Sequence, residues 1–83
     1  MKLLKFYADW CGPCKKLTAM MEGIEFPYEV VSLSIDENIT VANKLGVRSV
    51  PSLVLVDDNQ NIIKHHSGLP TSVEELKQKF SGE

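Results

Sequence analysis

The chain has 83 residues, of which 43% are hydrophobic and 24% charged, and its formal net charge is −2. These values predict one globular domain over residues 1–83, with no room for a second core. The charge gives no electrostatic basis for binding nucleic acid or an anionic membrane, and no apolar run approaches the length of a membrane span. Because no secretory signal is recognised at the amino terminus, a cytoplasmic protein is expected.

The first half of the chain predicts a strand, a helix, a strand and a short helix. Residues 2–8 read as a buried strand, and a helical pattern runs from Gly12 to about Gly23. A second strand covers 28–33. The short helix follows the polar turn at Asp36 and carries the apolar residues Ile39, Val41, Ala42 and Leu45, before Gly46.

The second half predicts a hairpin and a final helix. Residues 52–56 form a third strand, and residues 62–66 form a fourth strand across a polar turn. The last helix begins at Thr71 or Ser72. Because the strand-helix-strand unit should be parallel and the hairpin antiparallel, the order β-α-β-α-β-β-α predicts a mixed sheet in an α/β fold.

The only two cysteines lie in the segment Trp10-Cys11-Gly12-Pro13-Cys14, directly after the first strand. At the start of a helix, free backbone N–H groups and the helix dipole favour a thiolate, so Cys11 is the candidate nucleophile. Cys14, one turn further on, can attack a mixed disulfide on Cys11 and close the ring. Gly12 and Pro13 suit an accessible first helical turn.

Two other roles for the cysteines are weaker. A disulfide closing so short a loop would stabilise the chain by only about 2 kcal/mol. A zinc site would need further ligands, and His65 and His66 are the available imidazoles. Since adjacent residues of a strand point to opposite faces, these two should not converge on one metal ion, and no metal site is predicted.

Several segments together resemble the thioredoxin family. The resemblance comprises the Trp10–Cys14 segment after a strand, Asp36 after the second strand, the segment 46–51 before the third, and Gly68 after the hairpin. It covers nearly the whole chain but lacks the family's first strand and helix. It implies a thioredoxin-like fold, a four-stranded mixed sheet flanked by three helices.

The resemblance also implies a function. It predicts a monomeric protein-disulfide reductase that uses no metal or organic cofactor, acts on protein disulfides, and is recharged by a thioredoxin-reductase-like protein or a small thiol. It places an apolar docking groove at Trp10, Val50, Pro51 and Gly68, and it implies a cis peptide bond before Pro51. Local physics alone would favour a trans proline that starts the strand.

Two residues depart from the family pattern. Where the family usually has a buried aspartate, six residues before the first cysteine, this chain has Lys5, and Ser32 stands where a paired lysine is often found. Three alternatives remain open for Lys5. Its ammonium can snorkel to water, stabilise the Cys14 thiolate as a cation, or act as a neutral base after burial lowers its pKa.

Two alternative functions also remain open. The first is a glutaredoxin-like exchanger coupled to glutathione, although no clear basic pair stands ready to bind the glutathione carboxylates. The second is a thioredoxin-like binding subunit of a larger enzyme, in which the two cysteines are incidental.

Overall fold

A computed structural model describes residues 1–81, and its seven elements follow the predicted order. The strands are β1 (Lys2–Tyr7), β2 (Glu29–Ser34), β3 (Ser52–Val56) and β4 (Ile62–Ser67). The helices are α1 (Gly12–Met21), α2 (Ile39–Lys44) and α3 (Val73–Phe80). No helix within residues 1–81 is long and apolar enough to cross a bilayer.

The four strands form one mixed sheet in the order β2-β1-β3-β4. β1 is parallel to β2 and antiparallel to β3, and β3 and β4 form the antiparallel hairpin. The predicted fold class is therefore confirmed. Because β1 lies inside the sheet and leads directly into α1, the cysteine segment is held at the carboxyl end of a strand that is bonded on both sides.

The helices cover the two faces of the sheet unequally. On one face, α1 and α3 pack over the sheet in a core made of Leu3, Leu17, Met21, Leu53, Leu55, Leu76 and Phe80. On the other face, the α2 region packs in a core made of Phe6, Ala42, Val47, Val54 and Val56. The alternation of side chains along a strand accounts for this division, and it places Lys5 on the same face as Leu3, under α1 and α3.

The element boundaries differ slightly from the prediction. β1 ends at Tyr7, one residue early, and α1 ends at Met21, with Glu22 still in right-handed helical geometry. Gly23 therefore directly follows the C-cap, the usual position of a helix-ending glycine, although without a positive φ. Gly46, in contrast, has a φ of +75° directly after α2, a conformation that a side chain would disfavour.

Candidate active site

Cys11 and Cys14 form a disulfide at the start of α1. Cys11 is the N-cap of that helix, and its Sγ accepts a hydrogen bond from the backbone N–H of Cys14 at 3.1 Å. Both cysteines are buried and pack with Ala8, with Tyr7, Ile35 and Val50 around them. The predicted nucleophile therefore has a backbone donor on its sulfur in the oxidised state.

The two residues inside the ring stay on the surface. Gly12 and Pro13 are exposed, and Pro13 lies in the first turn of α1, where its missing N–H costs no hydrogen bond. A Cβ added to Gly12 would meet no atom within 4 Å. The fold itself therefore does not require a glycine there, and the surface over Gly12 is open to an incoming molecule.

Three of the predicted groove residues, Val50, Pro51 and Gly68, are joined to one another, and Val50 also contacts the cysteines. Val50 packs against the cysteine cluster, and the Val50–Pro51 peptide bond is cis, as the resemblance implies. The Gly68 N–H donates to the carbonyl oxygen of Pro51 at 2.8 Å, with Gly68 at a φ of +85°. The Ser52 hydroxyl donates to the carbonyl oxygen of Ser49 at 2.8 Å and ties down the same loop.

Trp10 lies at the surface, with 72% of the residue exposed. Its indole Nε1–H donates to Asp36 Oδ2 at 3.3 Å. Trp10 is thus excluded from the core, and Asp36 restrains its orientation. The sequence analysis did not assign this role to Asp36. A signal was present, because β1 and β2 are parallel and the residues after their carboxyl ends meet at one edge of the sheet.

Lys5 reaches from β1 to α1. Only 9% of the residue is exposed, and its Nζ donates to Thr18 Oγ1 at 2.8 Å. Thr18 Oγ1 in turn donates to the backbone carbonyl oxygen of Cys14 at 3.1 Å. Burial of the Lys5 side chain lowers its pKa from the ordinary value of 10.5.

The histidines do not join the cysteines. His65 pairs with Val54 and His66 with Leu53, and these two partners belong to opposite faces of the sheet. The His66 ring lies near Lys79 and Glu75 of α3 instead. Within residues 1–81 no three His, Cys, Asp or Glu side chains cluster as metal ligands would.

A sequence model of the thioredoxin family matches residues 1–81. The chain belongs to the thioredoxin family. Among curated relatives, it is 41% identical over 63 residues to a thioredoxin of Chlamydia muridarum, covering 72% of this chain and 62% of the relative. It is 37% identical over 68 residues to a thioredoxin of Staphylococcus aureus, covering 77% of this chain and 65% of that protein. The chain thus spans less than two thirds of the length of both relatives.

Solved structures of the family superimpose well on this fold. A variant thioredoxin from Halobacterium salinarum NRC-1 has a TM-score of 0.82 at 38% identity and covers 93% of this chain and 68% of its own. A thioredoxin from Trypanosoma brucei brucei has a TM-score of 0.79 at 30% identity, covering 94% of this chain and 69% of its own.

Thr18, the hydrogen-bond partner of Lys5, was not predicted from the sequence. The signal for Thr18 was its spacing, because it follows Cys14 by four residues and so lies on the same side of α1. A cavity of about 110 Å³ adjoins this position, and its lining is Tyr7, Ala8, Asp9, Cys14, Lys15 and Thr18. Thr18 and the buried Cys14 therefore line the same cavity.

Proposed function

We propose that the protein is a thiol-disulfide oxidoreductase that reduces protein disulfides through Cys11 and Cys14. The observation that carries this proposal is the Cys11–Cys14 ring at the start of α1, with Cys11 as the helix N-cap and its Sγ on the Cys14 N–H. Membership of the thioredoxin family supports the same activity.

The geometry favours a thiolate on Cys11 in the reduced protein. A backbone N–H bond to a charged acceptor contributes about 1.5 to 3 kcal/mol, and the helix end adds about 0.3 to 1 kcal/mol. Both contributions favour the ionised form of the Cys11 sulfur over the neutral thiol.

The exchange proceeds in two steps. The Cys11 thiolate attacks a substrate disulfide, forms a mixed disulfide and releases one substrate thiolate. Cys14 then loses its proton to solvent, and its thiolate attacks Cys11 Sγ, which closes the ring and releases the second substrate thiolate. Both substrate sulfurs take up protons. Two electrons have passed from the cysteine pair to the substrate, and the sulfurs alone carry them, so no metal or organic cofactor is required.

The surface around the ring supports a protein substrate. The proposed docking rim consists of Trp10, Val50, Pro51 and Gly68. Val50 packs against the cysteines, Gly68 is hydrogen-bonded to Pro51, and Trp10 is exposed. Such a shallow rim suits an extended segment that pairs through its backbone. The proposal includes a reductase or a small thiol as electron donor, a monomeric state, and a cytoplasmic location where dithiols are kept reduced. It thereby assigns a place in cellular redox homeostasis and electron transport.

The test measures how fast dithiothreitol reduces insulin disulfides. The turbidity of the released insulin chains reports the rate. The wild type should accelerate the reaction, and Cys11→Ser should abolish the acceleration. Reduced Cys14→Ser, mixed with insulin in the absence of dithiothreitol, should instead retain a mixed disulfide with insulin, visible by mass spectrometry. The surface variant Lys16→Met serves as the control and should match the wild type. Full acceleration by the double variant Cys11→Ser, Cys14→Ser would overturn the proposal.

A further inference from the structure

Three described features converge on the resolving cysteine. The Lys5 ammonium donates to Thr18 Oγ1, and the Thr18 hydroxyl donates to the Cys14 carbonyl oxygen. The cavity of about 110 Å³ has both Cys14 and Thr18 in its lining. The Sγ of Cys11, in contrast, accepts its hydrogen bond from the backbone N–H of Cys14. The two cysteines therefore have different polar surroundings.

We propose that Thr18 is a positioning residue of the exchange reaction, which holds the Lys5 ammonium beside Cys14 so that this cation stabilises the Cys14 thiolate during ring closure. The proposal rests on the proposed function and adds two residues to it. It assigns a separate cationic group to the second step, while the helix end acts on the first.

The distances permit this effect. Because the two hydrogen bonds share Thr18 Oγ1, the ammonium lies within about 6 Å of the Cys14 carbonyl oxygen. The Cys14 sulfur belongs to the same residue, and the attraction of the ammonium for a thiolate there weakens with the distance between them. Thr18 is itself exposed, so water screens part of the interaction. A moderate effect on the Cys14 thiol is therefore expected.

The charge balance of the site points the same way. Within residues 1–81, none of the ion pairs includes Lys5, whose side chain is mostly buried. In the disulfide state, the ammonium thus loses water without gaining an anion. When the ring opens and Cys14 ionises, the thiolate supplies the missing negative charge. The cation therefore favours the state of the protein in which Cys14 is free.

Other charged groups around Cys14 are few. Asp9 and Lys15 line the cavity and oppose each other in sign, and the Tyr7 phenol lines it as well. In the sheet, Lys5 has the uncharged neighbours Ser32 on β2 and Leu53 on β3. Lys5 is therefore the cation that β1 supplies to this side of α1.

The test measures the Cys14 thiol alone, in a Cys11→Ser background that cannot turn over. The rate of alkylation by iodoacetamide is followed from pH 5 to 10, and circular dichroism checks that each variant folds. Thr18→Val and Lys5→Met should each lower the rate at pH 7 by about two- to fivefold and move the pH profile upward. Thr18→Ser, which keeps the hydroxyl, should restore the profile, and Lys16→Met, a lysine of α1 outside the cavity, should leave it unchanged.

Two outcomes would overturn the proposal. One is a Thr18→Val profile identical to that of the parent, which would show that the hydroxyl has no role. The other is an equal loss in Lys16→Met, which would indicate general surface charge. The alkylation profile does not depend on turnover, so it distinguishes failure of this inference from failure of the insulin test.

Discussion

Lys5 is a charged side chain with little contact with water. Only 9% of it is exposed, and its ammonium is bonded to the neutral hydroxyl of Thr18. Its stem lies in the apolar face that Leu3 and Leu53 also form. A cation in this setting destabilises the fold because burial removes more favourable hydration than one neutral partner returns. The lowered pKa of Lys5 has the same cause.

Lys5→Met should therefore stabilise the oxidised protein at pH 7 by about 1 kcal/mol. The unfolded chain keeps its Lys5 proton until the pH nears the ordinary pKa of 10.5, whereas the folded protein releases it at a lower pH. Wild-type stability should thus rise with pH between these two values, because the unfolded state binds more protons there. The advantage of Lys5→Met should shrink from pH 7 to pH 10.

Urea unfolding of the oxidised proteins at both pH values measures this difference. Lys16→Met is the matched control, since Lys16 is exposed on α1, and it should give no such pH-dependent gain. A Lys5→Met advantage that stays constant over the range would mean that packing, and not charge, is responsible.

At the scale of elements, α3 has the most complete helix start. The Ser72 hydroxyl accepts a hydrogen bond from the Glu75 N–H at 3.1 Å. The Glu75 carboxylate returns to the N–H and the hydroxyl of Thr71, both at 3.2 Å, and the bond from the Thr71 N–H is the main cause that lowers the pKa of Glu75. This reciprocal arrangement fixes the first turn of the helix that supplies Leu76 and Phe80 to the core.

Ser72→Ala should lower the free energy of unfolding by about 1 kcal/mol, because the Glu75 N–H loses its acceptor at the helix start. Urea unfolding at pH 7 is the measurement. Ser49→Ala, at an exposed serine outside any helix, is the control and should change stability by less than about 0.5 kcal/mol. Equal stability of the two variants would contradict a capping role for Ser72.

The seven helices and strands were predictable from the sequence, whereas one strand pairing was not. Hydrophobic periodicity located all seven, and the residues 52–56 match β3 at both ends. The antiparallel pairing of β1 with β3 was not predicted, because strand patterns record burial and not the identity of a neighbour. The predicted end of α1 at about Gly23 lies one residue beyond the C-cap, Glu22.

The same distinction applies to the site. Cys11 and Cys14 were evident because their spacing is local, and so were the residues flanking the ring. The hydrogen bonds of Thr18 and Asp36 were missed because each of these residues acts on one that only the fold brings near, Lys5 from β1 and Trp10 from the loop after it. Long-range polar contacts of this kind leave little trace in a single sequence.

At the scale of the whole molecule, two small cores share one sheet. Leu3, Phe6 and Leu53 are fully buried, and they divide between the two faces. A domain of this size buries a modest fraction of its surface, so its total stability lies near the lower part of the usual 5 to 15 kcal/mol. Single losses from either core should therefore have large effects.

Leu3→Ala should destabilise the protein by about 2 to 5 kcal/mol, because Leu3 lies on an interior strand and its removal leaves a cavity under α1 and α3. Thermal unfolding followed by circular dichroism is the measurement. Ile62 is 48% exposed, so Ile62→Ala should lower the free energy of unfolding much less. Comparable losses in the two variants would contradict the division into buried and exposed faces.

The sulfur proposed as the nucleophile, Cys11 Sγ, is also the group that caps α1. Through the Cys14 N–H, the backbone of the helix is bonded directly to the reacting atom. A negative sulfur accepts this bond more strongly than a disulfide sulfur does. Under the proposed mechanism this bond should therefore strengthen when Cys11 ionises, and the NMR chemical shift of the Cys14 amide proton should report the charge on Cys11.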